Sequence, residues 1–95
     1  MDFADRATAD LYNGVDSKGA RRILPAALRQ KALDKLTLLD AAASLDQLRV
    51  PPGNRLEQLR GDRAGQHSIR INDQYRICFR WTAAGPIDVE VVDYH

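Results

Sequence analysis

The apolar residues of this chain change their period once, at Pro51-Pro52, and that change calls for a helical half followed by a sheet half. Before the prolines, Leu28, Ala32, Leu36, Leu39 and Ala43 recur at helical spacing, which lines one face of a helix. After them, Ile69 and Ile71, then Tyr75, Ile77, Phe79 and Trp81, alternate with Ser68, Arg70, Arg76, Cys78 and Arg80. That alternation marks strands with one buried face. The helical stripe and the odd-numbered strand face are both apolar, so they are expected to pack on each other and form the core. With 95 residues, of which 44% are hydrophobic, the chain supplies one modest core. The expectation is one domain over residues 1–95, helical from about 4 to 49 and sheet-forming from about 55 to 95.

Local signals divide the halves further. In ADRATADLYNG, Ala4, Ala7 and Leu11 share a helical face, Asp5 suits the start and Asn13-Gly14 the end. VDSKGA reads as a flexible connection, because it offers neither periodicity nor apolar surface. The main helix is predicted from Pro25 to about Ala43, with the proline in its first turn. Ser44 stands three residues before Gln47, a capping-box spacing that starts one more turn before VPPGN stops it. In the second half a strand is expected around Leu56 to Leu59. Asn72-Asp73 makes a turn, and AAGP leads into Ile87, Val89 and Val91 on the core face. The order is an antiparallel meander.

Charge and cysteine content narrow the function classes. A net charge of +1 excludes a protein that coats nucleic acid by bulk charge, so any basic surface must be a patch. One cysteine excludes an internal disulfide and suits a reducing compartment. No apolar run is long enough to span a membrane, and MDFADRATAD lacks the blocks of a signal peptide. The expected location is the cytoplasm, with no membrane partner. Two histidines and one cysteine at no ligand spacing argue against zinc, and no other metal or cofactor is implied. Cys78 reads as a small packing residue in mid-strand, and GDRAG as a turn.

The face turned away from the core is the chemically richer one. Ser68, Arg70, Arg76, Arg80, Glu90 and Tyr94 all occupy even positions and are expected on one solvated surface. From Arg49 to Trp81 there are seven arginines, at 49, 55, 60, 63, 70, 76 and 80, against Glu57, Asp62 and Asp73, with no lysine. Arginine's planar fork binds phosphate oxygens in pairs, so an arginine-only stretch is a phosphate-binding candidate. Glu57, Arg76, Tyr94 and His95 together offer a carboxylate, a fixed cation, a phenol and an imidazole. Cleaving RNA through its own 2′-hydroxyl needs a base, a cation for the crowded phosphorane and an acid for the departing oxygen. The same residues also fit a solvated sheet face with Glu57 as an arginine partner, Tyr94 as an edge aromatic and His95 as a frayed tail.

Three stretches within Leu48 to His95 carry a resemblance: PPGNRLE, GDRAGQHSIRINDQYRICF and the terminal VDYH. They closely resemble the HigB/GraT type of bacterial toxin in the RelE superfamily, the plasmid maintenance system killer proteins. Relatives usually begin with a short strand where this chain has MDFAD. The resemblance implies an α+β fold with N-terminal helices on one face of an antiparallel sheet. It implies a ribosome-dependent messenger-RNA endoribonuclease, neutralised by a HigA/GraA-like helix-turn-helix antitoxin through which alone it would meet promoter DNA. It also places Arg76, Tyr94 and His95 in the active site. The base would be Glu57 or His95, and Arg60, Arg63, Arg70 and Arg80 would hold RNA phosphates. Two alternatives remain: a gyrase-inhibiting toxin of the related ParE type, and a non-catalytic RNA-binding or partner-binding module.

Overall fold

The computed structural model describes residues 1–94. Helix α1 (Arg6–Asn13) begins where the Asp5 carboxylate accepts a hydrogen bond from the Thr8 amide at 2.7 Å. It ends at Gly14, whose φ of 74° is the left-handed conformation that closes helices without a Cβ penalty. Helix α2 (Lys18–Ile23) occupies the stretch expected to be a flexible connection. Ser17 makes the difference: its hydroxyl accepts from the Ala20 amide at 3.1 Å, which caps the helix start. Ala20 and Leu24 are then buried in the core. Gly19 lies beside α1, where a Cβ would stand in contact with the Ala7 Cβ at 3.4 Å.

The main helix is shorter than its stripe suggests. A 3₁₀ turn (Ala26–Leu28) leads into α3 (Arg29–Ala41), which buries Ala32, Leu36 and Leu39, while Ala43 lies beyond its end and is exposed. The turn after it is 3₁₀, Leu45–Arg49, and Ser44 caps nothing. The expected capping box does not form: Gln47 Oε1 reaches one residue further back and accepts from the Ala43 amide at 2.8 Å instead of that of Ser44.

Four strands follow in the order β1 (Glu57–Gln58), β2 (His67–Arg70), β3 (Tyr75–Thr82) and β4 (Gly85–Asp93), each antiparallel to the next. The first is shorter than expected, pairing Glu57 with Ser68 and Gln58 with His67 only. Asn72 builds the turn between β2 and β3, its side-chain oxygen accepting from the Gln74 amide at 2.9 Å and the Tyr75 amide at 2.7 Å. Ile69, Ile71, Tyr75, Ile77, Phe79, Val89 and Val91 face the core, and Trp81 packs at its rim. This is the α+β arrangement of helices with an antiparallel sheet.

Ile87 departs from its expected face. The pairing runs Cys78 with Glu90, then Arg80 with Ile87, so β4 carries an extra residue between them. Asp88 sits in that interval with φ of 52°. One extra residue reverses the side-chain alternation. Ile87 therefore joins the Arg80 face, and Pro86 takes the buried place opposite Trp81.

The N-terminal segment contributes a fragment of strand. Phe3 bridges Val89 in parallel, with Ala4 N–H donating to the Val89 carbonyl at 2.9 Å and Val89 N–H to the Asp2 carbonyl at 3.0 Å. Thr8 extends this cover of the β4 edge: fully buried, its hydroxyl accepts from the Val91 amide at 3.1 Å. Thr8→Val keeps the shape and strands that amide. It is expected to destabilise the chain by about 1–3 kcal/mol, read as a lower urea midpoint at unchanged slope.

Candidate functional site

The even-numbered sheet face is not the open surface that alternation suggests. Ser68 and Cys78 are fully buried and Arg76 is 8% exposed. The cover is provided by arginine stems and the chain around them, since a long side chain can lie across a sheet and shield small residues beneath it. Gly65 belongs to this cover. Its φ is 88°, and a Cβ there would come within 2.7 Å of Arg80 Nη1.

Arg76 is the centre of the face. Its Nε donates to the Ser68 hydroxyl at 2.7 Å, and its Nη2 donates to the Arg55 carbonyl at 2.6 Å and the Ser68 carbonyl at 3.4 Å. Its Nη1 lies 3.8 Å from Glu57 Oε1. The guanidinium carbon stands 5.9 Å from the centre of the Tyr94 ring, within cation–π range. Strand pairing explains the convergence. Glu57 is opposite Ser68, Ser68 opposite Cys78, and Arg76 lies two residue pairs along from that row, on the same face. Tyr94 follows the end of β4 and is held by its amide, which donates to the Gln74 carbonyl at 2.6 Å. Glu57 is half exposed and Tyr94 is 39% exposed, so both can reach a bound molecule.

Glu90 is the residue of this face to which the sequence assigned no role. It pairs with Cys78 across the strands, and its Oε1 accepts from Arg63 Nη1 at 2.7 Å. The same Nη1 donates to Gln66 Oε1 at 3.0 Å. The hydrogen bond to Glu90 raises the Arg63 pKa above the usual arginine value, against the pull of burial. Arg63 is thus a fixed cation at every working pH. Even parity on β4 put Glu90 on the right face; what the sequence lacked was the fold of the 61–66 segment that brings Arg63 to it. Burial raises the Cys78 thiol pKa, which disfavours the thiolate and agrees with a packing role.

The remaining arginines are less concentrated. Arg70 pairs with Asp73, Arg80 with Asp88 at 3.4 Å and Arg49 with Asp46 at 2.8 Å. Among the described residues Arg55 and Arg60 have no carboxylate partner, and both are exposed. Five of the seven arginines of the stretch therefore stand beside a carboxylate. The capacity of the stretch to hold a phosphate rests on a few oriented forks rather than on summed charge. Of the four residues singled out for chemistry, the structure brings Glu57, Arg76 and Tyr94 together; His95 lies outside the described residues. Among the described residues no group of three histidine, cysteine, aspartate or glutamate side chains is placed to hold a metal ion. No described helix is long and apolar enough to cross a membrane.

Comparison with known proteins agrees with this architecture. A family model described as "RelE-like toxin of type II toxin-antitoxin system HigB" matches residues 1–95. Among curated proteins, the chain is 41% identical over 81 residues to Toxin HigB-1 of Vibrio cholerae, covering 85% of this chain and 82% of that one. It is 34% identical over 58 residues to an uncharacterized protein of Haemophilus influenzae, covering 61% of this chain and 57% of that one. A match along the whole length, a close relative and a helix-on-sheet architecture meet in one assignment: this chain belongs to the HigB-like family of RelE-like toxins of type II toxin–antitoxin systems.

Proposed function

We propose that the chain is a ribosome-dependent endoribonuclease that cuts messenger RNA and so stops translation. The observation that carries this reading is the anchored guanidinium of Arg76, with Nη1 directed to the Glu57 carboxylate at 3.8 Å and the Tyr94 ring 5.9 Å away. A phosphodiester placed over Arg76 would put its developing dianion against a preorganised cation. Glu57 would take the proton of the 2′-hydroxyl as that oxygen attacks phosphorus. The bond to the 5′-oxygen then breaks, and the leaving oxygen takes a proton from His95 or Tyr94. The products are a 2′,3′-cyclic phosphate and a 5′-hydroxyl end. Tyr94 also offers a face on which a base can stack.

Arg60, Arg63, Arg70 and Arg80 would supply phosphate contacts along the bound strand, which hold RNA without choosing its sequence. The small, internally paired basic face suits a substrate presented by the ribosome better than free RNA captured by charge. The antitoxin would be a small helix-turn-helix protein, and promoter DNA would be bound only by the complex.

Purified chain mixed with translating ribosomes is expected to cut their message, and to leave the same message uncut when ribosomes are absent. Equal cleavage of free and ribosome-bound RNA would overturn the ribosome dependence; no cleavage in either would overturn the nuclease reading. Co-expression with the product of an adjacent helix-turn-helix gene is expected to restore growth, and failure of any such partner to bind the chain would contradict the antitoxin proposal.

A further inference from the structure

Arg55 belongs to the arginine-rich stretch, yet what it gives the site is a main-chain oxygen. It sits at φ 44°, ψ 56°, the left-handed region that disfavours any residue with a Cβ. In that conformation its carbonyl accepts from Arg76 Nη2 at 2.6 Å. A non-glycine residue holds such a conformation only where its surroundings determine it. The surroundings here are Asn54 and the 3₁₀ turn Pro52–Asn54.

Asn54 is fully buried. Its amide nitrogen donates to the Leu48 carbonyl at 3.1 Å and the Val50 carbonyl at 3.3 Å, and its side-chain oxygen accepts from Lys35 Nζ on α3. The turn itself is closed by Asn54 N–H to the Pro51 carbonyl at 2.9 Å and Arg55 N–H to the Pro52 carbonyl at 3.1 Å. Every polar atom of the Asn54 side chain thus ties the turn to the helical half. The next residue's carbonyl meets the guanidinium at the centre of the sheet face.

We propose that Asn54 and Arg55 are positioning residues for Arg76. Asn54 locks the turn, the turn fixes the Arg55 carbonyl, and that carbonyl holds Nη2 so that Nη1 is presented beside Glu57. Without it, Ser68 would be the only hydrogen-bond partner left to the guanidinium, and the planar group could swing as a unit about the Cδ–Nε bond. The proposal takes its activity readout from the nuclease reading above, but its structural readout is independent of it.

The test uses the full chain with Asn54→Ala. Single-turnover message cleavage on ribosomes is expected to fall roughly 100-fold, the scale of a misplaced reacting group. Ribosome affinity should stay within about threefold, because other arginines hold phosphates. By nuclear magnetic resonance at low temperature, the Arg76 Nη–H signals, identified by their loss in Arg76→Lys, should lose their protection from solvent exchange, since Nη2 is the atom that the Arg55 carbonyl holds. In the Arg76→Ala background, Asn54→Ala should cost nothing further. Arg55→Gly keeps the carbonyl and should lose no more than about threefold, since glycine adopts the left-handed region freely. If Asn54→Ala does not fold, Lys35→Met removes the donor to the same side-chain oxygen and should move both readouts in the same direction. Near-wild-type cleavage with Arg76 still protected would overturn the proposal, as would losses that multiply in the double variant. A wild-type chain that cuts no RNA, while Asn54→Ala still exposes the Arg76 Nη–H groups, would overturn the nuclease reading and leave the positioning intact.

Discussion

Arg76→Ala is expected to lower ribosomal message cleavage by about 10²–10³-fold, the cost of removing one preorganised donor from a developing oxyanion. The side chain is 8% exposed and makes three hydrogen bonds within the fold, so its removal also leaves the Ser68 hydroxyl and the Arg55 carbonyl without that partner. A stability loss of about 1–3 kcal/mol should accompany the loss of activity. The two effects separate by measuring cleavage well below the melting temperature, with circular dichroism as the folding control. Arg76→Lys sharpens the separation. Lysine keeps the charge but cannot span Ser68, the Arg55 carbonyl and the phosphate with one ammonium. It should therefore fold and still lose most of its activity. Full cleavage by either variant would remove Arg76 from the chemistry.

The division of acid and base gives the second large effect. Glu57→Gln removes the proposed base while keeping its size, and is expected to cut the rate by about 10²–10⁴-fold. His95→Ala is expected to cost a comparable factor, as loss of an acid requires. Glu57→Gln should leave thermal stability near wild type, because Glu57 is half exposed and touches Arg76 only across 3.8 Å. If both variants cleave as the wild type does, neither residue takes part in proton transfer.

The parts of the fold that were legible in the sequence are those where one strong signal acts alone. Leu36 and Leu39 on a helix, and Ile77 and Phe79 on a strand, are buried as their spacing requires. Asp5 and Gly14 cap α1 because each has a local geometric reason to do so. The misses occur where a second interaction overrides the first. Ser17 turned an apolar-poor stretch into a capped helix, and an extra residue near Asp88 reversed the parity of Ile87. The N-terminal bridge of Phe3 to Val89 is a long-range pairing that no local pattern announces.

The candidate site was legible in part: even parity put Arg76 and Tyr94 on one face, whereas Glu57, an odd position, joins them through its pairing with Ser68. Its burial was not, because alternation tells which way a side chain points and not what lies over it. Arg63 on Glu90, Gly65 under Arg80 and the Arg55 carbonyl on Arg76 all depend on the irregular segment from 54 to 66, whose course has no period to read. Composition also overstated the basic surface. Arg49, Arg63, Arg70, Arg76 and Arg80 each stand beside a carboxylate, and three of these, Asp46, Asp88 and Glu90, lie outside the stretch in which acids were weighed.

The central claim is that this face cuts ribosome-bound messages, and mapping RNA 5′ ends minutes after induction tests it most directly, with Arg76→Ala as the paired strain. The account predicts new 5′-hydroxyl ends inside translated reading frames, absent from untranslated RNA and absent when Arg76 is alanine. Intact messages alongside broken chromosomal DNA, or the same new ends in both strains, would contradict it.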